Sequence, residues 1–550
     1  MTEPTIADLL AGAEPSGARP LSDLIARLAL GGRLHGARDG GRAIGPAALG
    51  PIEIRGVTDD SRAVEPGMLF VAIKGLHVDG HDYVERAAGR GAAAVIVERP
   101  LPEITLPQLI VERAPLGLAT AAAWWFGDPS HELGVVGITG TDGKTTTSFL
   151  AVAALEAAGL SSGMIGTVAT KIGGTREPNP EHMTTPGAPS LQQALRAMVR
   201  AANRAAVVET TSHGLAADRV AGIAYDVAVL TNLTHEHLEF HGSWEAYRDA
   251  KLSLFERLAG GPQNPPKEIA GRVWPKAAIV NADDPNVGAF IGVAQEAGAR
   301  IVTYGTDASA DVRATHVEED AHRLRISYEA PSGAATVDLR LAGRFNVHNG
   351  LAVVALGEVL MLDPAAVRAG LESVESVAGR MERLDAGQPF GVVIDYAHSP
   401  ASLEKVLGLL APLAAARGGD VIAVFGSAGE RDTDKRPMMG RIAGRLCRLV
   451  IVTDEDPRGE DSHVILDAIA RGAEAAGKRR ERDLWLIAER PAAIAAAFER
   501  ARPGDIVLLA GKGHEQSIIG PDGPVPYDER TAALDALAAM GYTEPGPPRG

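Results

Sequence analysis

Cysteine is almost absent from this chain of 550 residues, because Cys447 is the only one. A single cysteine excludes an intrachain disulfide and is typical of proteins that work in a reducing compartment. Aromatic residues are also scarce, at 4% of the chain, although hydrophobic residues make up 45%. We therefore expect cores built from alanine, valine, leucine and isoleucine.

Long apolar runs and an excess of basic residues are missing too. Every apolar stretch is short or interrupted by charge, whereas a membrane-spanning helix needs about 20 predominantly apolar residues. The first four residues, Met-Thr-Glu-Pro, carry neither the basic nor the apolar part of a secretory signal. The net charge of −16 argues against a general nucleic-acid-binding face. We expect a cytoplasmic protein with no membrane and no nucleic-acid partner, which leaves room for a local basic pocket for an anionic substrate.

Strand-like runs alternate with helical patterns along most of the chain, whose length predicts about three to four domains. The alternation predicts an α/β fold in three domains: a small α/β domain over 20–132, a central P-loop-type ATPase domain with a parallel sheet over 133–376, and a Rossmann-like doubly wound domain over 377–540. Segment 260–275, which contains a Pro-Pro pair, is interpreted as an exposed loop. Strands are predicted at residues 52–54, 68–73, 94–97, 108–111, 206–209, 227–230, 278–280, 391–394, 421–425, 449–452, 484–487 and 506–509.

The most informative motif is a glycine-rich turn over residues 137–146, Gly-Ile-Thr-Gly-Thr-Asp-Gly-Lys-Thr-Thr. It lies between an apolar run and a helical pattern, so it directs backbone N–H groups and the positive end of a helix dipole at one point. Lys144 can reach terminal phosphates, and the Thr145 hydroxyl can bind Mg²⁺. The motif predicts nucleoside triphosphate binding, although Ile138 replaces the first glycine of the strict P-loop pattern.

Candidate metal ligands follow this loop. Glu209 ends a predicted strand, and the carboxyl end of a parallel strand faces the ligand crevice, where a carboxylate can hold Mg²⁺ against phosphates. A histidine-rich stretch comes next, but His235 and His237 are two residues apart, not four as in a helical zinc site. Mg²⁺ is therefore the expected metal. Lys251 lies on an amphipathic helix and is by itself expected to be a solvated charge.

The chain resembles the Mur ligases, the ATP-dependent amide-forming family of peptidoglycan synthesis, over nearly all of residues 50–540. The motifs that carry the resemblance are 140–146, 209–215, 231–233 with His237, the helix containing Lys251, 343–349 and 395–400. Four further motifs resemble the branch of the family that adds the third amino acid of the peptide, namely 379–382, 431–437, 454–458 and 511–515. The resemblance implies a ligase that forms an amide through an acyl phosphate.

The resemblance implies roles for residues around ATP and Mg²⁺. Lys251 is expected to be carbamylated, which turns a cation into an anionic oxygen ligand. The implied catalytic residues are Lys144, Glu209, His237 and Lys251, and the implied metal ligands are Thr145, Glu209, His237 and the carbamate. The implied ATP contacts are Gly140, Thr141, Asp142, Gly143, Lys144, Thr145, Thr146, Asn349 at the adenine and Arg380 at the phosphates.

The resemblance also implies two substrates, UDP-N-acetylmuramoyl-L-alanyl-D-glutamate and a diamino acid. In order along the chain, the three domains would bind the nucleotide sugar, ATP and the amino acid, and we expect a monomer. Contacts to the nucleotide sugar are implied at Ser61, Thr184, Thr185, Thr211 and Arg219, and a guanidinium such as Arg219 suits an acidic peptide. The implied amino-acid-binding residues are Arg431, Glu455, Asp456, Pro457, Arg458, Gly511 and Glu515.

Two acids depart from the family pattern. Asp456 stands where enzymes that add meso-2,6-diaminopimelate usually carry asparagine. Its carboxylate would repel the distal carboxylate of that amino acid and attract a distal ammonium, which favours L-lysine or L-ornithine. Arg458 is a natural carboxylate partner and keeps meso-2,6-diaminopimelate as the alternative. Asp142 replaces a usual asparagine in the phosphate loop, where an added negative charge is unfavourable unless it faces a metal or solvent.

Other functions fit part of the sequence. A folylpolyglutamate-type ligase shares the logic of the central domain, but segment 454–458 and an N-terminal domain with Ser61 argue against it. A simple P-loop GTPase would need an Asn-Lys-x-Asp base-reading motif, which the chain lacks. A non-catalytic relative that keeps only the fold would have lost functional residues, whereas the chain retains Lys144, Glu209, His237 and Lys251.

Overall fold

The computed structural model describes residues 4–75, 78–179, 183–234, 238–261, 264–319 and 323–543. His235 and His237 lie outside the described residues. The chain divides into two compact units. The first unit comprises Met1–Glu318, Arg325–Asp338 and Phe345–Ser373, and the second comprises Glu319–Leu324, Leu339–Arg344 and Val374–Gly550.

The N-terminal part of the first unit is built on a sheet ordered β3-β2-β8-β7-β6-β5, in which β5 to β8 are parallel and β2 runs antiparallel to β8. Two predicted strands are confirmed without change, at Ala94–Val97 and Gln108–Val111. The elements are α1 (Ile6–Ala11), β1 (Arg19–Pro20), α2 (Leu21–Leu30), β2 (Leu34–Asp39), β3 (Arg42–Ile44), β4 (Glu53–Ile54), β5 (Val57–Thr58), β6 (Leu69–Val71), α3 (Val84–Gly89), β7 (Ala94–Val97), β8 (Gln108–Val111) and α4 (Ala114–Phe126).

Helix α4 carries three of the few aromatic side chains of this core. Pro115 lies in its first turn, and Gly127 ends it with a left-handed φ of 72°. Its apolar residues include Trp124 and Trp125, both buried, together with Phe126. The helix therefore packs as a fully apolar element rather than as an amphipathic one.

The larger sheet of the first unit has the order β12-β11-β10-β13-β9-β14-β17-β18-β19-β20-β21 among the described residues. Strands β10, β13, β9, β14, β17 and β18 form its parallel centre. The elements are β9 (Gly134–Thr139), α5 (Lys144–Ala157), β10 (Ser162–Ile165), β11 (Ala169–Ile172), β12 (Thr175–Pro178), α6 (Ala188–Arg200), β13 (Ala205–Glu209), α7 (Ser212–Ala216), β14 (Val227–Leu230), α8 (Leu238–His241), α9 (Trp244–Glu256), β15 (Lys267–Ile269), β16 (Arg272–Trp274), β17 (Ala277–Asn281), α10 (Val287–Glu296), β18 (Arg300–Gly305), β19 (Val312–Glu319), β20 (Leu324–Ala330), β21 (Gly333–Leu339), α11 (Phe345–Leu360) and α12 (Pro364–Ser373).

Strand β9 lies between β13 and β14 in this sheet. Because all three strands are parallel, the residues that follow them leave the sheet at the same edge. These residues are the glycine-rich turn after β9, Glu209 at the end of β13, and Thr231 after β14. The topology therefore gathers the predicted phosphate loop and the predicted metal ligand Glu209.

The prediction of an exposed loop over 260–275 is wrong. Strands β15 and β16 form an antiparallel hairpin in this segment, and both Lys267 and Trp274 are buried. The Lys267 Nζ donates to Asp226 Oδ2 at 2.7 Å, and the Trp274 ring packs on Gly134, where any Cβ would overlap it. The Pro-Pro pair only precedes the hairpin, and the buried partner of Lys267 lies 41 residues away, which no local pattern reveals.

The second unit contains a sheet ordered β22-β23-β27-β24-β25-β26, with β22 antiparallel and the other five strands parallel. Helices connect the parallel strands, which confirms the predicted doubly wound α/β class. The elements are β22 (Glu382–Leu384), β23 (Gly391–Asp395), α13 (Pro400–Ala416), β24 (Val421–Phe425), α14 (Lys435–Leu446), β25 (Leu449–Val452), α15 (Ser462–Ala475), β26 (Leu484–Leu486), α16 (Arg490–Arg500), β27 (Ile506–Ala510), β28 (Ser517–Gly520), β29 (Gly523–Pro526) and α17 (Glu529–Ala539). Among the described residues, no helix combines the length and apolar character needed to cross a membrane.

Candidate active site

The glycine-rich turn joins β9 to α5 in a conformation that requires its glycines. Gly140 and Gly143 have φ values of 150° and 83°, where side chains other than hydrogen are strained. A Cβ on Gly140 would also overlap Thr231 Oγ1, and one on Gly143 would overlap Asn349 Oδ1. The turn is thus closely packed from two sides and holds its backbone in one shape.

Two residues after β14 fix the backbone of Asp142. Thr231 Oγ1 and Asn232 Nδ2 donate to the Asp142 carbonyl at 2.6 and 3.0 Å, and the Asp142 N–H donates to Asn232 Oδ1 at 3.0 Å. These contacts use the main chain of Asp142 and do not depend on whether the side chain is aspartate or asparagine. The turn therefore tolerates the unusual acid at this position.

Two amines converge on the carbonyl oxygen of Gly140. Lys144 Nζ donates to it at 2.9 Å and to the Thr141 carbonyl at 2.8 Å, while Lys251 Nζ donates to it at 2.7 Å. Lys251 is 2% exposed, so the structure corrects the expectation of a solvated charge at this position. Its Nζ lies 4.6 Å from the ring centroid of Tyr247, close enough for a cation–π interaction.

Tyr247 is a site residue that the sequence interpretation missed. It is buried one turn before Lys251 on α9, and its hydroxyl lies 2.9 Å from Thr141 Oγ1 in the phosphate loop. The same side chain therefore contacts both Lys251 and the loop. The spacing of four residues to Lys251 was the available signal, since residues four apart share one face of a helix.

Glu209 is fully buried at the end of β13 and is surrounded by hydroxyls. Its Oε2 accepts hydrogen bonds from Thr145 Oγ1 at 3.0 Å and Thr167 Oγ1 at 2.8 Å, and its Oε1 accepts one from the Thr167 N–H at 3.1 Å. A carboxylate beside a hydroxyl is the type of oxygen donor set that suits Mg²⁺. In the described part of the chain, no group of three or more histidine, cysteine or acidic side chains forms a metal centre.

Four of the five predicted nucleotide-sugar residues lie close to Glu209. Thr185 Oγ1 donates to the Glu209 carbonyl at 2.9 Å and lies 3.0 Å from Thr211 Oγ1, while Arg219 donates to the Thr185 carbonyl at 2.9 Å. The Thr184 hydroxyl reaches the same network, 2.9 Å from that of Thr167. They share a cavity of about 300 Å³ lined by Gly140, Thr141, Lys144, Met183, Thr184, Thr185, Thr211, Ser212, His213, Arg219, Tyr247 and Lys251.

Ser61 lies outside this set of lining residues. It is buried in the turn after β5, directly after Asp59 and Asp60. Burial raises the pKa of the Asp59 carboxyl, and the charge of Arg219 opposes that rise. The turn that carries Ser61 is thus within electrostatic range of a residue of the cavity.

The two remaining predicted ATP contacts lie in different units. Asn349 is buried on α11 in the first unit, where its Oδ1 accepts a hydrogen bond from Thr147 Oγ1 at 3.2 Å and packs against Gly143. Arg380 belongs to the second unit, and its guanidinium lies 4.9 Å from the ring centroid of Tyr396. The structure therefore places Asn349 beside the phosphate loop and Arg380 on an aromatic face.

Lys512 joins the predicted amino-acid-binding residues of the second unit. Its Nζ donates to Asp456 Oδ1 at 2.8 Å and to Glu515 Oε2 at 2.6 Å, and the Tyr396 hydroxyl donates to Glu515 Oε1 at 3.1 Å. Asp456 Oδ1 also accepts the Ile519 N–H at 2.9 Å. Lys512 was not among the predicted site residues, although it lies inside the motif 511–515.

The other predicted amino-acid-binding residues lie in the loops that follow β24, β25 and β27. Glu455 is buried, and among the described residues its Oε2 has no hydrogen-bond partner. Gly511 has a φ of 102°, and a Cβ there would lie 3.1 Å from Glu455 Oε2. Pro457 is buried and Arg458 follows with a left-handed φ of 55°. Arg431 stands exposed in the loop between β24 and α14.

Comparison with known families agrees with this arrangement. Residues 138–357 match the Mur ligase middle domain, residues 379–513 match the Mur ligase glutamate ligase domain, and residues 53–115 match the Mur ligase family catalytic domain. The chain belongs to the Mur ligase family, which confirms the resemblance. It is an ATP-dependent, amide-forming ligase of peptidoglycan synthesis.

The chain is also similar to individual ligases of this family. The chain is 50% identical over 509 residues to a UDP-N-acetylmuramyl-tripeptide synthetase of Roseiflexus sp. strain RS-1, covering 90% of this chain and 97% of the relative. It is 40% identical to a UDP-N-acetylmuramoyl-L-alanyl-D-glutamate–2,6-diaminopimelate ligase of Geobacter metallireducens, covering 87% and 94%. A solved structure of a ligase with that same description superimposes with a TM-score of 0.60 at 29% identity, covering 90% and 97%.

Proposed function

We propose that this chain adds the third amino acid to UDP-N-acetylmuramoyl-L-alanyl-D-glutamate, with ATP as the energy source and Mg²⁺ as the metal. One observation carries the proposal: residues of the phosphate loop and four of the five predicted nucleotide-sugar residues line one cavity next to Glu209. A carboxylate of the substrate and the γ-phosphate of ATP would meet in such a cavity. The similarity to a tripeptide synthetase over 90% of this chain supports the same reaction.

We assign the three predicted domains to the three substrates. Residues 20–132 would hold the nucleotide sugar with Ser61, residues 133–376 would bind ATP, and residues 377–540 would bind the amino acid. The backbone of 140–146 and Lys144 would contact the ATP phosphates, Asn349 the adenine and Arg380 the phosphates. We propose a monomeric enzyme that works in the cytoplasm.

Thr145 and Glu209 would hold Mg²⁺ together with His237 and a carbamylated Lys251. The buried Glu209 carboxylate and the adjacent Thr145 hydroxyl fit this metal, because both are hard oxygen donors. When bound, Mg²⁺ would neutralise charge on the phosphates that react. Carbamylation of Lys251 would replace an ammonium by an anion and would leave one N–H on Nζ, which can still donate to the Gly140 carbonyl.

The protein residues would act mainly by positioning and by electrostatic stabilisation. The terminal D-glutamate carboxylate would attack the γ-phosphorus of ATP, which breaks the bond to the β-phosphate and releases ADP. The amine of the incoming amino acid would then attack the acyl phosphate, lose a proton and displace phosphate. Lys144 and the loop N–H groups would stabilise the charge on the transferring phosphoryl group. Arg219 and the threonines 184, 185 and 211 would orient the nucleotide-sugar peptide. No protein nucleophile is required.

For the amino acid we propose L-lysine or L-ornithine. The site would consist of Arg431, Glu455, Asp456, Pro457, Arg458, Gly511 and Glu515. Arg431 would bind the α-carboxylate and Glu515 the α-ammonium, and the acidic Asp456 would favour a distal ammonium. The second candidate is meso-2,6-diaminopimelate, because Lys512 already pairs with Asp456 Oδ1 and offsets its charge.

Amino-acid-dependent phosphate release tests the proposal. The purified chain is supplied with ATP, Mg²⁺ and UDP-N-acetylmuramoyl-L-alanyl-D-glutamate, and each diamino acid is added in turn. Stimulation by one diamino acid, with Lys144→Met as the inactive control, is the expected result. If none of the three stimulates phosphate release, the proposed function is wrong.

A further inference from the structure

Arg490 is a buried cation that the proposed mechanism does not use. It is the first residue of α16 and is 1% exposed. Its Nε donates to Glu529 Oε2 at 2.8 Å, and one of its terminal nitrogens donates to Glu529 Oε1. The same guanidinium donates to two main-chain carbonyls, those of Asp454 at 3.1 Å and Ala510 at 2.8 Å.

These two carbonyls mark the start of the two loops proposed to bind the amino acid. Asp454 directly precedes Glu455 in the loop after β25, and Ala510 directly precedes Gly511 in the loop after β27. Strand β24 lies between β25 and β27 in the sheet, so the two strands that lead into the loops are two strand spacings apart, about 10 Å. At the ends of these strands, one guanidinium donates to the backbone at the base of each loop.

We propose that Arg490 is a positioning residue that sets the separation of the two amino-acid-binding loops. The inference rests on the proposed function of this part of the second unit. Lys512, in the loop after β27, also donates to Asp456, in the loop after β25, and so forms a second connection between the two loops. Arg490 fixes the backbone where the loops begin, and Lys512 fixes the side chains that would face the amino acid.

The chemistry of the guanidinium explains why arginine is needed here. Its planar group carries N–H donors in fixed directions, so it can bind the Glu529 carboxylate and both carbonyls at the same time. A lysine ammonium is a compact charge on a flexible chain and does not present donors in this fixed arrangement. Burial by itself would lower the pKa of Arg490, but the Glu529 carboxylate raises it above its usual value. Arg490 therefore stays charged at every physiological pH and keeps donating to both carbonyls.

A purely structural role is the competing interpretation, because Glu529 begins α17 and the ion pair also joins α16 to that helix. The double variant Arg490→Met/Glu529→Met separates the two interpretations. Replacing both members of a buried pair by apolar residues of similar volume leaves no unpaired charge and is often neutral for stability. It nevertheless removes both hydrogen bonds to the loops.

Arg448→Met is the matched control. Arg448 donates to Asp505 Oδ2 at 2.6 Å and to the Arg500 carbonyl at 3.0 Å. Arg448 and Asp505 directly precede β25 and β27, so this pair connects the same two strands at their opposite ends. The control variant should lower the melting temperature without changing the KM for the amino acid.

The experiment compares KM for the amino acid, KM for ATP, kcat and the melting temperature. For the double variant we expect KM for the amino acid to rise about tenfold or more, with KM for ATP within twofold, since small misplacements of binding groups have large effects. Arg490→Lys should show the same selective rise in KM for the amino acid. This variant keeps a positive charge opposite Glu529 but lacks the guanidinium that binds both carbonyls. If the double variant does not fold, the result with Arg490→Lys tests the inference.

Unchanged KM for the amino acid in a folded variant overturns the inference, as does a parallel change in both KM values and kcat. These outcomes differ from a failure of the proposed function. In that case the unmodified chain itself would show no phosphate release with any diamino acid.

Discussion

The ammonium of Lys251 donates a hydrogen bond to the carbonyl oxygen of Gly140, with 2.7 Å between Nζ and O. Lys144 donates to the same oxygen. The amine proposed to become a carbamate is therefore bound to the phosphate loop itself, and Tyr247 contacts both. Carbamylation of Nζ would leave one N–H to donate to Gly140 and would add carboxylate oxygens, which must lie away from that carbonyl oxygen.

Variants of Lys251 test whether this residue acts as an ammonium or as a carbamate. Lys251→Arg keeps the positive charge but cannot carry a carbamate in the same way, and Lys251→Ala removes both. If the carbamate is the working form, both variants should lose activity on the order of 100-fold or more, measured as phosphate release. Short carboxylates such as acetate or propionate should restore part of the activity of Lys251→Ala. Substantial activity of the arginine variant would contradict the carbamate role.

Gly143→Ala should weaken ATP binding. The new Cβ would overlap Asn349 Oδ1 and deform the loop that is proposed to hold the phosphates. Gly159→Ala is a matched control, because Gly159 has nearly the same φ of 81° but open space around the added methyl. Both variants should lose about 1 kcal/mol of stability from backbone strain. Only Gly143→Ala should raise KM for ATP, by about tenfold or more, and an equal rise in both variants would contradict the packing argument.

Stability should depend on pH through Lys267. Burial lowers the pKa of its ammonium to about 8, although the Asp226 carboxylate opposes this. Between pH 8 and the ordinary lysine pKa near 10.5, the unfolded chain binds more protons at this group than the folded chain, so its contribution to stability rises with pH. The stability difference between the unmodified chain and Lys267→Met, measured by urea unfolding, should therefore grow across this range. If the stability difference between the two proteins does not change with pH in this range, the lowered pKa of Lys267 is wrong.

Asp456→Asn should change the choice of diamino acid. Asparagine keeps an oxygen that can accept the Ile519 N–H but removes the negative charge. We expect kcat/KM for L-lysine or L-ornithine to fall and kcat/KM for meso-2,6-diaminopimelate to rise, which changes their ratio by about tenfold or more. An unchanged ratio would show that Lys512 already cancels the charge of Asp456.

Local patterns predicted the parallel strands and the phosphate loop well. The apolar run before the glycine-rich turn forms β9, and the strands predicted at 227–230, 421–425 and 449–452 are confirmed at both ends. These elements are short runs rich in valine, leucine and isoleucine, which are typical of strands in a parallel sheet that is covered on both faces. The α/β class and the gathering of Glu209 with the loop follow from the same runs.

Contacts between distant segments could not be predicted in this way. Lys267 looked like part of an exposed loop because its partner Asp226 lies 41 residues away, just before β14. Arg490 is part of no predicted motif, yet it donates to carbonyls 36 and 20 residues away. Buried charges of this kind depend on which strands become neighbours, so the sequence reveals them only after the sheet order is known.

The central claim is that this chain joins a diamino acid to UDP-N-acetylmuramoyl-L-alanyl-D-glutamate. Mass spectrometry of the nucleotide-sugar product tests it most directly, after incubation with ATP, Mg²⁺ and an equimolar mixture of L-lysine, L-ornithine and meso-2,6-diaminopimelate. The account predicts one UDP-N-acetylmuramoyl-tripeptide, with L-lysine or L-ornithine as its third residue. Absence of any tripeptide, while ATP and the nucleotide sugar remain intact, would contradict it.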